Sequence, residues 1–212
     1  MININKDLEQ YLLDHSTPLD NTLQELVRHT YLTTFNPRMI SGSAQGRLLE
    51  FICRMITPER ILEIGTFTGF ATICMAQGMP ENAMIDTIEV DDELQETITK
   101  FIEKAGVSHK VNLHFGDACQ IIPNLKKNYD LVFIDGDKRE YTMYYDLIFP
   151  LVKNGGYIIA DNVLWNGKVV DKKSTDPQTL AILQFNNTVQ NDSRVENILL
   201  PLRDGLMLIR KI

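Results

Sequence analysis

The chain has 212 residues, 44% of them hydrophobic and 23% charged, which is enough for one sizeable α/β domain and thin for two. A formal net charge of −7 disfavours a broad nucleic-acid-binding surface. The three cysteines, Cys53, Cys74 and Cys119, are odd in number and widely spaced in apolar surroundings, so they read as reduced core residues of an intracellular protein and exclude a disulfide framework or a zinc site.

At the N-terminus, "MININKDLEQYLLDH" lacks the basic start and apolar core of a signal peptide. No later apolar run approaches the roughly 20 residues that span a bilayer. A cytoplasmic protein is expected. The first 57 residues read as helices at "KDLEQYLLDH", "PLDNTLQELVRHTYLTTF" and "SAQGRLLEFICRMI", where apolar positions recur at helical spacing. From Arg60 the pattern changes. Short apolar runs, "RILEIG" (60–65), "MIDTIEV" (84–90), "VNLHFGD" (111–117), "YDLVFID" (129–135) and "GGYIIADN" (155–162), alternate with amphipathic stretches such as "DDELQETITKFIEKAG", with Gly106 as its stop signal. Continuous apolar strands alternating with helices predict a parallel sheet covered on both faces. "VENILLPL" and "GLMLIRKI", separated only by "RDG", predict a closing antiparallel hairpin. The expected architecture is one α/β domain over 1–212: a helical segment, 1–57, then a doubly wound Rossmann-like core, 58–212.

Ligands of such sheets bind beyond the carboxyl ends of the strands. Here those ends carry Glu63 and Gly65, Glu89, Asp117, Asp135, and Asp161-Asn162. A nicotinamide cofactor would require G-x-G-x-x-G, but the first turn reads Glu63-x-Gly65-x-x-x-Gly69. A carboxylate there repels a pyrophosphate and attracts a cationic group, which suits S-adenosylmethionine. Glu89 is placed to accept its ribose hydroxyls, and Asp117 to accept from the exocyclic amine of its adenine. Asp135, Asp161 and Asn162 form an oxygen-only set suited to Mg²⁺, with Mn²⁺ or Ca²⁺ as alternatives. Lys138, three residues beyond Asp135, sits beside that ion, where an ammonium is disfavoured and a neutral lysine becomes a base. Taken singly, each of these acids also has a plainer role as a helix cap.

With these motifs in hand, the chain from about Pro37 onward resembles the cation-dependent class I O-methyltransferases, the group of catechol and caffeoyl-coenzyme A O-methyltransferases. The stretches that carry the resemblance are "PRMISGSAQGRLLEF", "ILEIGTFTGFAT", "IEVD", "GDA", "VFIDGDK", "ADNVLW" and "LPLRDGLMLIRK". It implies a seven-stranded methyltransferase sheet, metal ligation by Asp135, Asp161 and Asn162, and Lys138 as the base. It also implies cofactor contacts from Met39, Glu63, Gly65, Glu89, Asp117, Ala118 and Asp135. Family members often carry a serine where this chain has Ala71, which leaves Thr72 to supply the hydroxyl. The implied acceptor is a small aromatic diol and the implied assembly a homodimer; the alternative on this scaffold is a hydroxylated uridine of transfer RNA. Trp165 serves either as a wall for an aromatic acceptor or in packing. Lys168, Lys172 and Lys173 read as solvated charges, and His15, His29, His109 and His114 as surface or structural residues.

Overall fold

The computed structural model describes residues 6–212; residues 1–5, at the head of the expected helical segment, lie outside the described residues. Three helices lead, α1 (Lys6–Asp14), α2 (Asn21–Thr33) and α3 (Ser43–Ile56). The helix expected from Pro18 starts only at Asn21, because the Asp20 carboxylate accepts the Leu23 N–H at 2.8 Å and caps it there.

Alternation follows: β1 (Arg60–Ile64), α4 (Phe70–Gly78), β2 (Met84–Glu89), α5 (Gln95–Lys104), β3 (Val111–Phe115), α6 (Ala118–Ile121), β4 (Tyr129–Ile134), α7 (Tyr141–Ile148) and β5 (Val152–Asp161). Helix α8 (Pro177–Gln190) then leads to the hairpin β6 (Val195–Leu200) and β7 (Leu206–Lys211). The seven strands lie in the order β3-β2-β1-β4-β5-β7-β6. The first five are parallel, and β7 runs antiparallel to both β5 and β6. Strand β5 begins ahead of the expected Gly155, because Val152 already pairs with Tyr129 before the register shifts on the way to Leu131.

Successive residues of a strand face opposite sides, so Ile61 joins one apolar cluster and Leu62 the other. The first cluster packs α2, α3, α4 and α5 on one face through Leu26, Leu49, Ile73 and Phe101. The second packs α7 and α8 on the other through Tyr145 and Phe185. The cysteines are free; Cys53 and Cys74 are buried as expected, but Cys119 is half-buried, its Sγ 3.9 Å from a Glu140 carboxylate oxygen. That position lies in the first turn of α6, at the margin of the second cluster. Among the described residues no helix is long and apolar enough to cross a membrane.

Parallel strands bring their carboxyl ends to one rim. The strand order reverses between β1 and β4, so the crevice opens where Gly65 meets Asp135.

Candidate active site

Gly65 adopts φ +94°, and a Cβ there would collide with the main-chain carbonyl of Asp135. Only glycine allows that approach. Its N–H donates to Ile88 O at 2.9 Å, and the Asp135 N–H donates to Ile64 O at 2.8 Å, so three strand ends are tied together. Glu89 ends β2 in a buried position, its carboxylate accepting the Phe67 N–H at 2.6 Å and the Asp91 N–H at 2.9 Å. Burial nonetheless holds that carboxyl above its ordinary value. Asp117 accepts the Cys119 N–H at 2.8 Å, committing one oxygen to the start of α6. Met39, Gly65, Glu89, Asp117 and Ala118 all line one cavity of about 1210 Å³.

Glu63 and Thr72, expected as cofactor contacts, are not among that cavity's lining residues. Both are fully buried, since residues of β1 and α4 face the layer between sheet and helix. Thr72 and Thr87 hydroxyls donate to the same oxygen of Glu63, Oε2, and Thr66 pairs with Thr87 in turn. The other oxygen, Oε1, is buried without a partner. Burial above all, with Asp135 and Glu89 adding to it, pushes the carboxyl up to about 8. Thr72 thus orients Glu63 from behind the cavity wall.

The second half of the site lines the same cavity. Asp135, Lys138, Asp161, Asn162 and Trp165 all face it. Lys138 Nζ donates to Asp135 Oδ1 at 2.7 Å and to the Tyr141 hydroxyl at 2.8 Å. That hydroxyl lies 3.0 Å from Asp161 O and 3.2 Å from Ile134 O, the carbonyls to which it donates. Burial pushes the Asp135 carboxyl up to about 6; Lys138 pulls it down and Asp161 raises it further. Asn162 sits at φ +57°, a left-handed backbone that asparagine tolerates better than most residues, and its N–H donates to Asp161 Oδ1 at 2.7 Å.

The match to a family model decides what these residues belong to: the O-methyltransferase model covers residues 13–212. The chain is a member of the O-methyltransferase family. It is 33% identical to a probable caffeoyl-CoA O-methyltransferase 2 of Dictyostelium discoideum over 100% of this chain and 94% of the relative. Against a caffeoyl-CoA O-methyltransferase 5 of Nicotiana tabacum the identity is 33% over 97% and 91%. Among solved structures, an O-methyltransferase from Bacillus cereus in complex with SAH superposes with a TM-score of 0.91 at 28% identity, covering 97% of each chain.

Three residues around the cavity of this O-methyltransferase escaped the sequence reading. Gln45 of α3 donates to Asp161 Oδ2 at 2.6 Å, and Arg203 in the β6–β7 turn reaches Ile40 O at 3.1 Å. Arg38 stands exposed on the lining. All three lie inside the quoted motifs, but no local pattern says which side chain points inward. Trp165 does line the cavity, with Nε1 3.3 Å from Asp176 Oδ2. Lys168, Lys172 and Lys173 are not among its lining residues, and neither are the four histidines.

Proposed function

We propose that this O-methyltransferase moves the methyl group of S-adenosylmethionine to one hydroxyl of a vicinal-diol, catechol-like small molecule, with a divalent cation, Mg²⁺ foremost, on Asp135, Asp161 and Asn162. The observation that carries this reading is that Lys138 and those three oxygen donors share one cavity with Gly65, Glu89 and Asp117.

The residues fit both absent groups. Glu89, Asp117 and Asp135 line the cavity around the Gly65 turn, and carboxylates there suit the α-ammonium, ribose hydroxyls and exocyclic amine of S-adenosylmethionine. Two carboxylates and an amide oxygen are hard ligands suited to Mg²⁺ and poor for zinc or copper. Asp161 adds to the upward shift of Asp135, a repulsion that a cation relieves. The Bacillus cereus relative is described with SAH, and the tobacco relative is named for caffeoyl-CoA, both in keeping with the reading.

When bound, S-adenosylmethionine supplies an electrophilic methyl on a sulfonium, and the cation supplies Lewis acidity to two adjacent oxygens. The chain does the rest. Glu89 and Asp117 grip the hydroxyl and amine edges of the cofactor. Ile64, Ile88, Ala118 and Tyr144 give the cavity apolar walls that exclude water. Lys138, pinned by Asp135 and Tyr141, turns its remaining Nζ valence to the cavity and takes the acceptor's proton there. Holding donor and acceptor about 3 to 3.5 Å apart supplies much of the acceleration. No covalent enzyme intermediate is needed, and none of the three cysteines is among the cavity's lining residues.

The lining sets Glu89, Asp117, Asp135, Asp137, Glu140 and Asp161 against Arg38, Lys138 and Arg203, an acidic balance that does not suit a tRNA backbone. The proposal extends to one domain over 1–212 working in the cytoplasm as a homodimer. Its support is that Leu26 and Leu49 share a core with Ile61, that the cysteines are free thiols, and that Phe51 and Met55 of α3 stand exposed. Light scattering on the eluting protein reads the dimer.

The deciding experiment is transfer from labelled S-adenosylmethionine to caffeate, a catechol and undermodified tRNA, with Mg²⁺ and with EDTA. Transfer to a diol that EDTA abolishes is expected. Transfer to tRNA alone would replace the acceptor, and transfer untouched by chelation would remove the cation.

A further inference from the structure

Asp161 is buried, and both its carboxylate oxygens already accept hydrogen bonds: Oδ1 from the Asn162 N–H at 2.7 Å and Oδ2 from Gln45 Nε2 at 2.6 Å. Each oxygen keeps a further lone pair. Gln45 is 1% exposed and comes from α3, 116 residues earlier in the chain. Its reach depends on the next residue. A Cβ at Gly46 would lie 2.6 Å from the Phe70 ring and 2.8 Å from Cys74 Sγ, so glycine lets α3 settle onto α4 deeply enough to bring Gln45 to the end of β5.

An amide side chain can present either end, and the hydrogen-bond network decides which. Here Arg203 decides it. Its Nη1 donates to Gln45 Oε1 at 3.3 Å and to Ser41 O, and its Nη2 donates to Ile40 O at 3.1 Å. With the amide oxygen held by a guanidinium, the NH₂ end must face Asp161. Arg203 sits at φ +50°, a left-handed backbone uncommon for a residue with a Cβ.

From this geometry we infer that Gln45, locked by Arg203, is a positioning residue that orients the Asp161 carboxylate for a divalent cation. The inference rests on the cation role proposed above. A neutral amide is the donor this task requires: it fixes the carboxylate while leaving its negative charge free. A lysine or arginine in its place would form an ion pair and compete with the cation. A glutamate would set a second carboxylate against Asp161. Partners of this kind, which hold a ligand without touching the metal, typically change metal affinity 10- to 100-fold.

The test measures Mn²⁺ binding to the cofactor-free protein by electron paramagnetic resonance, so it does not depend on turnover. Gln45→Ala is expected to weaken Mn²⁺ binding by roughly 10- to 100-fold. Arg203→Ala should weaken it by a smaller factor, because the amide stays in place but loses its fixed orientation. Thermal unfolding in EDTA shows whether each variant folds. Should Gln45→Ala fail to fold, Arg203→Ala, altered at an exposed side chain, decides alone. Wild-type protein that binds Mn²⁺ with variants that bind it equally well overturns this inference and leaves the cation role standing. Wild-type protein that binds none overturns both.

Discussion

Gly65 and Asp135 meet so closely across β1 and β4 that any side chain on the glycine would collide with the aspartate's carbonyl. This contact joins the two halves of the site: the turn proposed to seat the methyl donor touches the residue proposed to bind the cation and pair with the base. Neither can shift without the other.

Gly65→Ala therefore should damage both halves. The positive φ alone costs about 1–3 kcal/mol for a residue with a Cβ. The collision adds to it and pushes Asp135 out of line. Calorimetry should show S-adenosylmethionine affinity falling more than about tenfold, a change of at least ~1.4 kcal/mol. Unchanged affinity would mean that the turn does not seat the cofactor.

Glu63 carries a pH signature. Its carboxyl is pushed from 4.5 up to about 8, so between those values the folded chain keeps a proton that the unfolded chain has released. Stability contributed by the protonated form is therefore lost as pH rises through that window. The melting temperature of ligand-free wild type should fall relative to Glu63→Gln between about pH 5 and pH 8. Parallel curves for the two proteins would show that Glu63 ionises freely in the fold.

Lys138 pairs with Asp135 at 2.7 Å, so its removal has two consequences that need separating. Lys138→Ala deletes both charge and base; Lys138→Arg keeps the charge but cannot give up a proton near neutral pH. If Lys138 is the base, both variants should lower kcat by about 10²–10⁴, with S-adenosylmethionine binding retained in the arginine variant. Activity preserved in Lys138→Arg would reduce the residue to a structural charge.

Tyr141 is fully buried, and its hydroxyl links Lys138 to the carbonyls of Asp161 and Ile134. Tyr141→Phe leaves those groups without this partner and should lower unfolding stability by about 1–3 kcal/mol, read from denaturant curves. The same variant frees Lys138 to wander, so kcat should fall more than KM rises. A stability loss with unaltered kcat would confine Tyr141 to the scaffold.

Much of this was readable along the chain. Runs of six to eight residues between helix-length segments were enough for the five parallel strands, because strands covered on both faces read as near-continuous apolar runs. "RDG" between two such runs marked the reversed hairpin. The carboxylates of the rim were visible because parallel strands share one end, so sequence position translates into spatial neighbourhood. Glu63 and Thr72 show where that translation stops: strand alternation turned Glu63 into the sheet–helix layer, and the helix following it laid Thr72 on top.

The sequence by itself determined the order and type of the elements, the rim to which the acidic residues belong and the oxygen-only character of the proposed cation ligands. These follow from periodicity, turn chemistry and residue type, all properties of neighbours. Only the tertiary structure decided that Gln45 reaches Asp161 across 116 residues, that Arg203 holds the amide's orientation, and that Tyr141 holds Lys138 against Asp135. Those contacts depend on how deeply one layer settles on another, and close packing sets that depth over the whole interior at once.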